Sequence, residues 1–182
     1  MKKLAIFTLA TLAIALTSKT YAQASDEVTL NVRLHPIQTI IVNGSQKTVN
    51  LDYITTDDYA SGVELEQEDH LSIYSTGGFQ VSVKSNSSTL ESAHQDVTEN
   101  INASEIQITP SQGTSPLAGS TLQAISLSDQ DQPLISNTIG GVGRTFNIKY
   151  EGAGGDAYVN KYFNVENPTT YTTTVVYTIE AQ

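Results

Sequence analysis

Apolar and polar residues alternate in short runs along most of this chain, and glycine, proline and asparagine separate the runs. Residues 27–35 (EVTLNVRLH) alternate strictly, with Val28, Leu30, Val32 and Leu34 on one face. A period of two puts successive side chains on opposite faces of a strand. Pro36 ends or bends that ladder, because proline has no N–H to donate. Residues 37–42 (IQTIIV) resume it, Asn43-Gly44 is a turn dipeptide, and residues 47–53 (KTVNLDY) place Val49, Leu51 and Tyr53 on one side. Residues 57–62 (DDYASG) read as a loop. Two alternating runs, 70–75 (HLSIYS) and 79–85 (FQVSVKS), flank Thr76-Gly77-Gly78 and predict a hairpin.

The second half repeats the theme. Residues 86–100 are polar with little periodicity. Strands are predicted at 104–110 (SEIQITP), 122–128 (LQAISLS) and 144–150 (RTFNIKY), with a short apolar stretch at 133–138 and glycine-rich breaks at 140–143 and 152–156. Residues 157–165 and 170–181 finish the chain. In TYTTTVVYTIEAQ, Tyr171, Thr173, Val175, Tyr177 and Ile179 share one face. No window beyond the N-terminus has helical periodicity, and no repeat or long linker splits the chain. Short strands with regular turn punctuation predict an all-β fold, an immunoglobulin-like β-sandwich of about seven to nine mostly antiparallel strands.

The N-terminus departs from this pattern. Lys2 and Lys3 precede an apolar run, LAIFTLATLAIAL, and a small-polar stretch ending at Ala24. That order matches a secretory signal with cleavage after Ala22 or Ala24. The run is shorter than the ~20 residues of a membrane span, and no second apolar segment follows, so no stable membrane insertion is expected. The expected organisation is a signal at 1–24 and a single domain at 25–182. The chain has no cysteine, which leaves no disulfide, thiol nucleophile or thiolate metal site. Loss of residues 1–24 removes three lysines and no acid, moving the net charge from −10 to −13. So acidic a chain is a poor partner for nucleic acid or anionic membrane.

Candidate chemistry is sparse. His35, His70 and His94 lie in separate segments without metal-ligand spacing. His70, beside Glu66, Glu68 and Asp69, is the best metal candidate of the three, but the stretch reads first as a solvated acidic strand edge that resists aggregation. Asp57-Asp58 and Asp129-Gln130-Asp131 lack the ligand spacing of a calcium loop. There is no G-x-S-x-G elbow or S-x-x-K motif, and Gly140–Gly143 lacks the Lys-Ser/Thr of a phosphate loop. The reading is therefore no enzyme and no cofactor. Tyr150, Tyr158, Tyr162, Tyr171 and Tyr177 cluster late in the chain, where the choices are cross-strand packing or a face that stacks on glycan rings.

An export signal, a cysteine-free all-β chain, an early VTLNVRLHPIQTIIVNG and a terminal YTTTVVYTIEA resemble the layout of alpha-class chaperone–usher pilin subunits of Gram-negative fimbriae. The resemblance implies an exported protein of the periplasm or cell surface. It also implies that the N-terminal alternating segment is a donor strand completing a neighbour's sheet, which is β-strand addition. On that likeness Val28, Leu30, Val32 and Leu34 are the donor side chains, and Tyr171, Val175, Tyr177 and Ile179 line the receiving strand. The penultimate Ala181 departs from the aromatic usual in such subunits. Two function classes stay open: a structural or adhesive surface protein that self-associates or joins another envelope protein, and a monomeric module that binds envelope glycan. N-terminal sequencing of the exported protein should find Gln23 or Ser25 first; an intact Met1 would make the apolar run an anchor.

Overall fold

The computed structural model describes residues 23–182, so the expected export signal lies outside the described residues except for Gln23 and Ala24. The chain divides between Arg33 and Leu34. Residues 23–33 carry no regular secondary structure. Val28, Leu30, Val32 and the adjoining Leu34 are between 77% and 90% exposed. The strand expected at 27–35 is therefore not formed. The alternating pattern is present, but a strand exists only where its backbone groups find a ladder partner.

From Leu34 onward the protein is all-β. Eleven strands occur among the described residues: β1 (Gln38–Val42), β2 (Val63–Ser75), β3 (Phe79–Ser85), β4 (Thr89–Glu91), β5 (Asn100–Asn102), β6 (Ile106–Gln112), β7 (Thr121–Leu122), β8 (Ile125–Ser126), β9 (Gln132–Asn137), β10 (Gly141–Gly152) and β11 (Val175–Ala181). One sheet has the order β1-β2-β10-β6-β8, the other β11-β3-β9-β7, and β4-β5 is a separate ribbon. Every pairing is antiparallel. The two larger sheets pack as a sandwich, and they hold nine strands, the upper end of the expected number.

The core forms because the alternating runs present continuous apolar faces. Leu71 and Ile73 of β2, Ile108 of β6, and Phe146 and Ile148 of β10 meet Phe79, Val81 and Val83 of β3 and Leu134 and Ile135 of β9 in one buried cluster. Each fully buried aliphatic or aromatic side chain contributes roughly 1.5–3 kcal/mol relative to exposure.

Several expectations need correction. The runs 70–75 and 79–85 are not a hairpin: β2 pairs with β1 and β10, whereas β3 pairs with β9 and β11. Gly77-Gly78 carries the chain from one sheet to the other. Both runs need an apolar neighbour sheet for their inner faces, and crossing provides it. A Cβ on Gly78 would stand 3.1 Å from the Thr138 carbonyl oxygen, closer than a side chain tolerates without movement. Residues 57–62 are not a plain loop. They hold a helix, α1 (Thr56–Ser61), begun by a capping box in which the Thr55 hydroxyl accepts from the Asp58 N–H and the Asp58 carboxylate accepts from the Thr55 N–H. Residues 122–128 split into β7 and β8, one in each sheet, and residues 157–165 form turns. Residues 47–53 keep the expected inward face but belong to no strand.

Phe146 is wholly buried and Val142 is exposed on the same strand. Urea unfolding of Phe146→Ala should show a loss of about 3–5 kcal/mol. Val142→Ala should stay within about 0.5 kcal/mol of the parent.

Candidate functional site

Two extended segments that lack a full set of ladder partners line one groove of about 1160 Å³. The first is residues 47–53. Val49, Leu51 and Tyr53 turn toward the body, as their alternating burial shows. None of the backbone N–H or C=O groups of 48–53 bonds another backbone group among the described residues. The second is residues 171–175, leading into β11. Thr172 exchanges both backbone bonds with Glu91, and the Thr174 carbonyl accepts from Asn86 N–H. Backbone groups of an extended chain point to alternate sides, so those of Tyr171 and Thr173 point the other way. They have no backbone partner among the described residues. The Thr173 hydroxyl oxygen is also inaccessible and unpaired there. At sheet level, β1 and β11 are edge strands, one in each sheet.

Leu90, Ile101, Ile106 and Leu127 add apolar surface to the groove, and a polar chain crosses it. The Gln46 side-chain amide donates to the Glu68 carbonyl at 2.9 Å, so its oxygen is free to accept from His70 Nδ1–H at 3.0 Å. That leaves His70 Nε2 to accept from the Tyr150 hydroxyl at 2.9 Å, and the Tyr150 oxygen accepts from the Tyr177 hydroxyl at 2.7 Å. One directional set of protons satisfies every member. The chain joins β2 and β10 of one sheet to β11 of the other. Burial pushes the Tyr150 hydroxyl up to about 12 and holds His70 below its ordinary value, which keeps both neutral.

A bulge puts His70 there. Phe146 stands opposite Leu71 and Ile148 opposite Gln67, so three residues of β2 face one of β10. Asp69 takes a left-handed φ of 48° at the bulge. Its N–H donates to Asn147 Oδ1, and its carboxylate accepts from the Thr114 N–H and hydroxyl. Those bonds hold its carboxyl below the usual range. The extra residues re-aim the chain, and His70 and Leu71 are both buried although they are adjacent. His70 is thus an inward hydrogen-bonding group and not part of a solvated acidic edge.

The sequence-predicted residues fall as follows. Tyr171, Val175 and Tyr177 line the groove. Tyr171 donates its hydroxyl to the Lys161 carbonyl at 2.7 Å. Ile179, opposite Val81, packs on the core and does not line the groove. Val28, Leu30, Val32 and Leu34 are exposed, as described. Of the five late tyrosines, Tyr150 and Tyr158 are buried and Tyr177 is tied into the polar chain, so only Tyr162 is well exposed. Tyr158 instead packs edge-on against Tyr53, with ring centroids 4.9 Å apart. The acidic candidates have other partners: Asp58 caps α1, and Asp131 pairs with Lys84 at 2.9 Å. No group of three potential metal ligands is assembled among the described residues. Nor is any helix there long and apolar enough to cross a membrane. Gln46 and the 47–53 wall were not singled out as site residues by the sequence. The alternation of Val49, Leu51 and Tyr53 was the available signal for that wall.

No protein-family model and no curated protein matches this chain.

His70 makes the groove acid-sensitive. Its folded-state pKa lies below 6.5, so the unfolded chain takes up the proton first. Stability from neutral His70 is full above that value and is lost as pH falls through the window beneath it. Urea unfolding between about pH 5 and pH 7.5 should show this slope, and His70→Gln should flatten it. An unchanged slope would mean that His70 does not carry it.

Proposed function

We propose that this chain is an exported structural subunit of the cell surface that assembles by β-strand addition, with residues 28–34 of one copy filling the groove of another. The observation that carries this reading is a pair of complementary deficits. One segment has strand chemistry and exposed side chains but no ladder. One groove has two extended walls with unpaired backbone groups and apolar lining. A seven-residue strand spans about 23 Å. It would offer backbone partners to 47–53 and to Tyr171 and Thr173, and it would turn Val28, Leu30, Val32 and Leu34 inward.

Burial of apolar surface is the favourable term in the exchange. Four aliphatic side chains going from exposed to buried contribute roughly 1.5–3 kcal/mol each. The costs are lost translational freedom and the ordering of one segment. The ordering cost is reduced where Pro36 limits the chain next to the segment. The export and surface location belong to the same proposal, supported by the order of charged, apolar and small residues at the N-terminus.

Deletion of residues 25–35 tests this directly. The segment supplies no strand to either sheet, so the deleted protein should keep its strand-type circular dichroism and lose assembly in sedimentation and electron microscopy. A peptide of residues 25–36 should bind the intact chain and stop its growth. Val32→Asp should prevent assembly through one side chain, because a buried unpaired carboxylate is not tolerated. A chain that stays monomeric at every concentration and ignores the peptide would reject strand addition and give the lead to glycan binding.

A further inference from the structure

We infer that the outer face of β1 and β2, together with the turn into β10, is a second contact surface between copies, against which the rim of the receiving copy's groove seats. The inference rests on the strand-addition reading and adds a surface outside the groove.

Chain length supplies the first argument. Ile37 is clamped to its own body: its N–H donates to the Thr76 hydroxyl at 2.9 Å, and its carbonyl accepts from the Thr76 N–H at 3.0 Å. Leu34, the last of the four donor side chains, is three residues earlier. Three residues span at most about 11 Å. Pro36 fixes one dihedral of that tether and holds His35 extended. A body that holds Leu34 in its groove must therefore bring its rim close to Ile37.

The chemistry of what surrounds Ile37 supplies the second. Ile37, Thr39 and Ile41 alternate on the outer side of β1, and all three are exposed. Tyr74, 38% exposed, stands opposite Thr39. Val142, 71% exposed, lies in the bulge between the Gly141–Ser75 and Arg144–Ile73 pairs, and Ile139 is exposed in the turn before it. Stretches 36–42, 71–79 and 133–143 contain no charged residue, in a chain of net charge −10. The opposite end of β2 carries exposed Glu64, Glu66 and Glu68. Copies this acidic repel one another over most of their surface. A charge-free apolar face at the root of the donor segment is where two of them can meet without opposing carboxylates.

The test separates this surface from the groove. Val142→Glu and Tyr74→Glu place a carboxylate on exposed positions of the face, and Gln107→Glu adds the same charge at an exposed position of β6, opposite Glu151 at the other end of the sheet. The peptide of residues 25–36 should bind all three full-length variants as it binds the parent. Assembly, followed by sedimentation velocity, should fall at least about tenfold for the first two, since a carboxylate pressed into an apolar contact loses its water. Gln107→Glu should assemble as the parent does. Retained peptide binding with parental assembly in both Val142→Glu and Tyr74→Glu would overturn the second surface and leave the groove reading intact. Failure of the parent itself to bind the peptide would overturn both. Thermal unfolding of Val142→Glu, whose side chain lies outside the core, checks that lost assembly is not lost fold.

Discussion

An extended backbone needs a hydrogen-bonding partner along each buried edge, and the organisation of this protein follows from where that need is met. In the interior it is met twice over: β10 lies between β2 and β6, and β3 lies between β9 and β11. These central strands carry fully buried side chains, Phe146 and Ile148 on β10 and Phe79, Val81 and Val83 on β3. Where the two sheets end, it is not met. Residues 47–53 and 171–173 are extended and turned toward the core, yet they leave backbone groups unpaired among the described residues. Such groups are tolerable in an open groove because water reaches them. They become an asset when another strand arrives, which is the physical content of strand addition.

The polar chain through His70 fits the same constraint. A sandwich open along one side has fewer contacts to hold its edge strand in place. The Tyr177 hydroxyl, bonded to Tyr150 and through it to His70 and Gln46, ties β11 to the other sheet where apolar packing thins out. Hydrogen bonds are directional and packing is not, so this link fixes the position of β11 as well as its distance. The bulge at Asp69 is what makes the link available, since strict alternation in β2 would point His70 away from the core.

Much of this was legible in the sequence. The alternating runs identified the all-β class and the inward faces of β3, β6, β10 and β11, because burial on one side of a strand imposes a period of two. Pairing was less legible. The stretch HLSIYSTGGFQVSVKS has every local feature of a hairpin, yet it crosses between sheets, and its two apolar faces meet in one cluster across the core. Local pattern says which residues turn inward and is silent on which edge they pair along. The same limit applies to 27–35 and 47–53, whose side-chain pattern is that of strands but whose ladders are absent. His70 was hidden for a different reason. Its burial depends on a left-handed Asp69 held by Thr114 and Asn147, residues distant in sequence. The capping box of α1 was readable in Thr55 and Asp58, but six residues without an apolar stripe gave no periodicity to notice.

The distribution of charge bears on why the apolar parts are arranged as they are. Isolated apolar side chains on a surface need no explanation, but four in register on one segment and a charge-free face beside its root are a liability for solubility. A net charge of −10 offsets that liability by keeping copies apart over the remaining surface. On the proposed reading the two features act together. Repulsion discourages side-by-side association through arbitrary faces, and the exposed aliphatic segment with its neighbouring neutral face leaves one orientation in which attraction wins. A contact built from two different patches, a segment on one copy and a groove on the next, is heterologous. Unless its rotation happens to close a ring, it propagates as a filament and not as a closed dimer.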